Sequence, residues 1–212
     1  MKVIAAVAAA GALVLAQDST QSEERRADAG RLMTELMSGR AAVGGPFALA
    51  DPAGTVRSLA EFRGKLVLVY FGYTQCPDVC PTDLARIAAM LAALGDDARA
   101  IQPVFITLDP ARDTLPVLRE YAAAFHPRLV ALRGSEAETR RVATSYKVFY
   151  EKVPQPRGYL IDHMPLTFLL DREGQYVAFF PPGTPAERMA VMVRESMGGP
   201  GGGDFTAKLQ PQ

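Results

Sequence analysis

Lys65-Leu-Val-Leu-Val-Tyr-Phe71 runs straight into Gly72-Tyr-Thr-Gln-Cys76-Pro-Asp-Val-Cys80-Pro81, and beyond it apolar residues recur at 84, 87, 88, 91 and 94. The first segment is an unbroken β-prone apolar run, the mark of a strand covered on both faces. The last is one apolar face of a helix, closed by Gly95. Both cysteines therefore sit between the C-terminal end of a buried strand and the start of a helix. Ligands and reactive groups collect at that position in open α/β sheets. The positive end of the helix dipole also favours thiolate over thiol there.

The pattern continues on either side. Pro46–Ala50 and Thr55–Ser58 flank the turn residues Asp51-Pro-Ala-Gly54, which predicts a hairpin. Pro103–Leu108 reads as a second buried strand, and Asp113-Thr114 is placed to cap a helix running to Phe125, with Pro116 in its first turn. Leu129–Leu132 is a short strand, and Ser135 with Glu138 fits a capping box at the start of a helix reaching Tyr146. Leu166–Leu170 and Tyr176–Phe180 form a hairpin across Asp171-Arg-Glu-Gly174, and Thr184–Met197 is the last helix. This order predicts an α/β fold: a thioredoxin-like α/β/α sandwich with a mixed central sheet and an N-terminal β-hairpin extension.

The chain of 212 residues carries 23 basic and 23 acidic side chains, so charge gives no broad reason to bind nucleic acid or an anionic surface. At 49% hydrophobic and 22% charged, it is not a disordered polymer. Only 2 Cys and 2 His are present, which excludes a disulfide-dense mini-protein and an all-cysteine zinc module within one chain. Residues 1–16 carry one Lys before an uncharged, mostly apolar run ending in Val14-Leu15-Ala16, the pattern of an export signal, with a short membrane anchor as the alternative. Residues 17–42 read as a polar or amphipathic tether, with Leu32, Met33, Leu36 and Met37 at helical spacing. Residues 43–197 form the domain, and 198–212 a disordered Gly-rich tail.

The spacing of Cys76 and Cys80 allows two chemistries. At i, i+4 on a helical face, two sulfurs can share one metal ion, and a disulfide is reachable if Pro77 loosens the turn. Thioredoxin-type oxidoreductases use C-x-x-C, whereas three residues intervene here. In a thioredoxin-like sheet, the loop entering the Leu166–Leu170 strand lies beside the cysteine-bearing helix end, so His163 is the third candidate ligand. His126, in Phe125-His-Pro127, reads as a surface residue. Two soft sulfurs and one nitrogen suit Cu(I); structural zinc wants a fourth protein ligand and a blue-copper site wants two His. Asp78 and Asp162 either accept hydrogen bonds around such a site or are solvated loop residues; Asp109-Pro-Ala-Arg-Asp113 is either a loop near the site or a partner surface, with helix capping the reading favoured for Asp113.

Tyr70-Phe-Gly-Tyr-Thr-Gln-Cys-Pro-Asp-Val-Cys-Pro-Thr82, together with Gly44–Phe47, Phe105-Ile-Thr-Leu-Asp-Pro-Ala-Arg-Asp-Thr114 and Tyr159-Leu-Ile-Asp-His163, resembles the Sco/SenC copper proteins of cytochrome oxidase assembly over about residues 44–195. The resemblance implies copper, as Cu(I), Cu(II) or both, held one per monomer by Cys76, Cys80 and His163. It implies an exported domain that is periplasmic or tethered to the inner membrane. Its implied partners are the copper-centre subunit of cytochrome c oxidase, other periplasmic copper carriers and thioredoxin-like reductants. Family members commonly carry hydroxyl residues after the ligand His, whereas Met164-Pro165 follows here. That stretch is similar to the cis-proline loop of thioredoxin-like reductases, which gives the expectation of a cis Met164–Pro165 bond. Met164 either packs or offers a soft thioether near the metal. A metallochaperone is the leading function. The alternatives are a thiol–disulfide oxidoreductase working through Cys76 and Cys80, or a copper-dependent redox sensor. A peroxidase is disfavoured, since the chain has no Trp and no P-x-x-x-T-x-x-C run.

Overall fold

β3 (Leu66–Gly72) runs through the middle of a five-stranded sheet, buried at every residue. It pairs in parallel with β4 (Ile101–Thr107) on one side and antiparallel with β8 (Thr167–Leu170) on the other. β5 (Val130–Leu132) extends the parallel side, and β9 (Tyr176–Phe180) the antiparallel side. The computed structural model describes residues 42–198, together with Arg31, Thr34 and Glu35. The signal or anchor expected at 1–16, nearly all of the expected tether and the tail expected beyond 198 lie outside the described residues. The chain divides at Ala41 and Ala42, and the fold here is that of the second unit.

Helices cover both faces of the sheet, as consecutive residues of β3 make plain. Tyr70 stacks on Phe105, which meets Tyr121 of α2 (Leu115–Phe125). Phe71 points the other way, into Tyr146 and Phe168 beside α3 (Glu136–Ser145). α1 (Val79–Leu94) lies on the Tyr70 face, burying Cys80, Leu84, Ile87, Met90, Leu91 and Leu94. α4 (Ala186–Met197) packs against it, where Arg194 donates to the Ala93 carbonyl at 2.8 Å. The mixed α/β/α architecture read from the sequence is thus present. A separate hairpin, β1 (Ala48–Ala50) with β2 (Val56–Ser58), closes the β5 end through the Ala50–Arg133 backbone pair. No helix among the described residues is long and apolar enough to cross a membrane.

One element was not anticipated. Between α3 and β8 the chain forms an antiparallel hairpin, β6 (Tyr150–Gln155) and β7 (Gly158–His163), which pairs with neither of the other sheets. The chain is aimed into it by the end of α3. There the capping box of Ser135 and Glu138 starts the helix as expected, and a Schellman-type closure ends it. Lys147 N–H donates to Thr144 O at 3.0 Å and Val148 N–H to Ala143 O at 2.8 Å. The residue that makes this turn is Lys147, at φ 59. A side chain there meets the left-handed penalty that glycine avoids. Lys147→Gly should therefore stabilise the fold by about 0.5–1 kcal/mol, once glycine's greater unfolded-state entropy is deducted. Thermal unfolding checks this, and a lower Tm for the glycine variant refutes it.

Candidate metal centre

β3 and β4 end level with one another, Gly72 opposite Thr107, and Leu108 N–H donates to Gly72 O at 2.7 Å. The loops that leave the two strands therefore run side by side. Gly72 is required by closeness: a Cβ there would lie 2.9 Å from Cys80 Sγ and 3.1 Å from Phe105 and Tyr70. After Gly72 the chain bends through Tyr73 to Cys76, and α1 begins at Val79 rather than at Leu84, with Asp78 as its N-cap residue. Pro81 sits in that first turn, where its missing N–H costs no helical bond.

Cys80 belongs to the helix and is 0% exposed. Cys76 precedes it, so the two do not share a helical face. Instead Cys76 Sγ turns back over the helix end and accepts the Cys80 N–H at 3.4 Å. The Cys76 thiol is pulled well below the usual thiol range. The leading cause is a hydrogen bond from the Cys80 thiol; bonds from His163 and from the Asp78 and Cys80 amides add to it, and burial works against it. The same contact, with burial, pushes the Cys80 thiol up. The two shifts have one direction: Cys80 holds its proton more firmly than Cys76. Both cysteines are free thiols. Asp78 contributes its backbone amide, while its side chain is exposed.

His163 is the last residue of β7, not part of a loop. Alternation along the strand puts Tyr159, Ile161 and His163 on the face turned to the domain and Leu160 and Asp162 on the exposed face. His163 Nε2 lies 3.4 Å from Cys80 Sγ, and its ring meets the Tyr73 ring edge-on at 6.1 Å. Nδ1 is buried without a hydrogen-bond partner among the described residues. Packing against Tyr73 therefore fixes the imidazole. Asp162 does not orient it, because the strand turns that carboxylate away. The expected cis bond is also absent: every described peptide bond is trans. Met164 N–H donates to Phe149 O and Leu166 N–H to Met164 O, a turn closed with the amide isomer that X–Pro bonds prefer. Met164 is half-buried and shares with Phe149 and His163 the wall of an open recess of about 450 Å³. His126 lies at the end of α2, its Nδ1 accepting the Arg128 N–H at 3.1 Å. The sulfurs of Cys76 and Cys80 and one ring nitrogen of His163 all lie within 4.8 Å of one another.

The polar residues around this triad come mostly from the Asp109–Asp113 loop. Asp113 does not cap α2. It is fully buried and accepts from Thr74 N–H at 3.1 Å, Thr74 Oγ1 at 2.6 Å and Thr107 Oγ1. Burial pushes its carboxyl up, against those bonds. It thereby ties the start of the cysteine loop to the end of β4. Asp109, also fully buried, accepts from the Tyr159 hydroxyl at 2.8 Å and from Arg112 Nε. The signal for this shell was the Asp109-Pro-Ala-Arg-Asp113 run itself, two acids and an arginine directly after a buried strand.

A thioredoxin-like domain with two thiols and an imidazole converging at the end of its central strand defines a narrow class. The profile of the SCO1/SenC family matches residues 35–198, and the chain belongs to that family. It is 43% identical over 141 residues to the SCO2-like protein RP587 of Rickettsia prowazekii, covering 65% of this chain and 69% of that one. It is 39% identical over 163 residues to the mitochondrial SCO2 homolog of Bos taurus, covering 74% and 61%. Among solved structures, it is similar to Bradyrhizobium japonicum ScoI with copper bound (42% identity, TM-score 0.68, 72% of this chain and 98% of that one). It is also similar to yeast Sco1 with copper bound (32% identity, TM-score 0.70, 80% and 96%).

Two outcomes follow from the geometry. Gly72→Ala should destabilise the protein by about 1–3 kcal/mol, the usual cost of forcing an extra carbon into a packed core, and an unchanged Tm refutes the close approach. In the reduced, metal-free protein, Cys76 should still react with iodoacetamide at pH 6, where an ordinary thiol of pKa about 8.5 is almost wholly protonated. Its thiolate is lost only well below that pH, because the folded protein holds its pKa down. Cys80 should resist labelling. Mass spectrometry of each peptide across pH 5–9 reads this, and a Cys76 rate that climbs only above pH 8 contradicts it.

Proposed function

We propose that this chain is an exported copper carrier. It would take up one copper ion per monomer on Cys76, Cys80 and His163 and pass it to the copper-centre subunit of cytochrome c oxidase. The observation that carries the proposal is the donor set: two sulfurs and one nitrogen within 4.8 Å, and no fourth His, Cys, Asp or Glu in the group among the described residues. Two thiolates and an imidazole match the softness of Cu(I), whereas a structural zinc site asks for four protein ligands. Copper bound in the related ScoI and Sco1 structures supports the same reading. The apolar run from Val3 to Ala16 supports export, with residues 17–42 as the tether and 43–197 as the working domain.

A second activity is favoured by the thiol pair itself. A thiolate at Cys76 beside a protonated, buried Cys80 has the form of an attacking and a resolving sulfur. Exchange with a partner disulfide would leave Cys76–Cys80 oxidised and unable to hold Cu(I), so a thioredoxin-like reductant would restore binding.

Anaerobic Cu(I) titration of the reduced protein against a chromophoric chelator separates the readings. Wild type should bind one Cu(I), and His163→Ala should bind at least about tenfold more weakly, about 1.4 kcal/mol. Equal affinities would sink the assigned site and leave dithiol exchange, which needs only the two cysteines, as the better reading.

A further inference from the structure

The nitrogen of the site is carried by an element with no sheet to hold it. β6 and β7 pair only with each other, and an isolated two-stranded hairpin is marginal in water. β6 is almost wholly exposed. β7 is seated by the buried Ile161 side chain and by the Tyr73 hydroxyl against the Ile161 backbone, and one further side chain, on the neighbouring loop, gathers several bonds to it. Arg112 Nη1 donates to Tyr159 O at 2.8 Å and to Gln75 Oε1 at 3.1 Å, next to Cys76. Its guanidinium lies 3.7 Å over the Tyr159 ring and 5.9 Å from the Tyr73 ring, the same ring that backs His163. Arg112 Nε donates to the buried Asp109 carboxylate, whose other oxygen takes the Tyr159 hydroxyl at 2.8 Å. Tyr159 shares the inward face of β7 with His163, four residues on.

We propose that Arg112 is a positioning residue. Braced by Asp109, it clamps Tyr159 of β7 to the cysteine loop, so that His163 is presented to the two sulfurs. Arg112 reaches no ligand atom itself. A planar fork suits the task, since it must bond a carboxylate, a carbonyl and an amide oxygen while stacking on a ring. Only the copper readout of the test rests on the function proposed above.

The test has a metal-free arm and a copper arm. Arg112→Met keeps the stem volume and removes the fork. In the metal-free full chain, hydrogen exchange at the β6–β7 amides should quicken by about tenfold or more, while β3 and β4 amides keep their protection. Cu(I) affinity should fall by about 10–100-fold, the usual effect of losing a group that orients a metal ligand. In a His163→Ala background the same substitution should cost nothing further, because the clamp acts through that imidazole. A general loss of stability would instead loosen β3 and β4 as well, or add to the His163→Ala loss, and either result overturns the proposal. Unchanged Cu(I) affinity overturns it too. Tyr159→Phe, which deletes only the hydroxyl bond to Asp109, provides a milder variant and should give the same pattern at a few-fold size. If wild type takes up no Cu(I), the copper reading fails by itself. The exchange arm then decides the clamp, and an unchanged hairpin refutes it.

Discussion

Two sulfurs are fixed on the scaffold, and the third donor atom has to be brought to them. Cys76 and Cys80 follow β3, which is buried throughout and paired on both sides. Their positions are set by the sheet and by the first turn of α1. His163 arrives from a hairpin outside that sheet. The level ending of β3 and β4 makes the meeting feasible. It sets the Asp109–Asp113 loop beside the cysteine loop, and that loop reaches both ways: Asp113 to Thr74 on one side, Asp109 and Arg112 to Tyr159 on the other.

Electrostatics gives the meeting its chemistry. Two thiolates within 4.8 Å would repel by at least about 3 kcal/mol even at an effective dielectric constant of 20. One of the pair therefore keeps a proton unless a cation takes its place. The charge is favoured on Cys76 first by the hydrogen bond from the Cys80 thiol, and then by bonds from His163 and from the Asp78 and Cys80 amides at the end of α1. Cys80 keeps the proton because it is buried and faces that charge. A monovalent soft cation bound by both sulfurs would take the place of the proton between the two thiolates and leave the pair at the same net charge of one negative, with the His163 nitrogen 3.4 Å from Cys80 Sγ.

What the sequence made legible follows from where each segment is buried. Lys65–Phe71 and Pro103–Leu108 read as strands because both faces of each are covered, which leaves an unbroken apolar run. Ser135 and Glu138 read as a cap because the signal is local. The β6–β7 hairpin was not legible. Tyr150-Glu-Lys-Val-Pro-Gln155 is polar, carries a proline and is exposed on nearly every residue, so it shows no core-facing alternation. That omission placed His163 in a loop and made Asp162 a plausible partner; once the strand is known, alternation separates the two. Asp113 was misread because its position before a helix suits a cap, and only the tertiary neighbours Thr74 and Thr107, on other elements, outbid that role. The cis-proline analogy failed: the Met164–Pro165 bond is trans, in a turn where the Leu166 N–H reaches the Met164 carbonyl.

The division between a rigid pair and a separately attached third donor bears on release as much as on binding. A site whose three donors all sat on the central sheet could let a metal go only by disturbing the core. Here the buried sulfur, Cys80, is held by α1, whereas the imidazole comes from a hairpin outside the sheet, seated by Ile161 and Tyr73 and by side-chain bonds to the Asp109–Asp113 loop. Cys76 is half-buried, and the recess beside His163 is open, walled by Met164 and by Phe149, which is 69% exposed. On the proposed reading, a donor that enters this recess would meet His163, which lines it, before either sulfur, neither of which does. On the proposed reading, exchange would begin at His163 and end at Cys80, the order in which the scaffold holds them, from weakest to strongest.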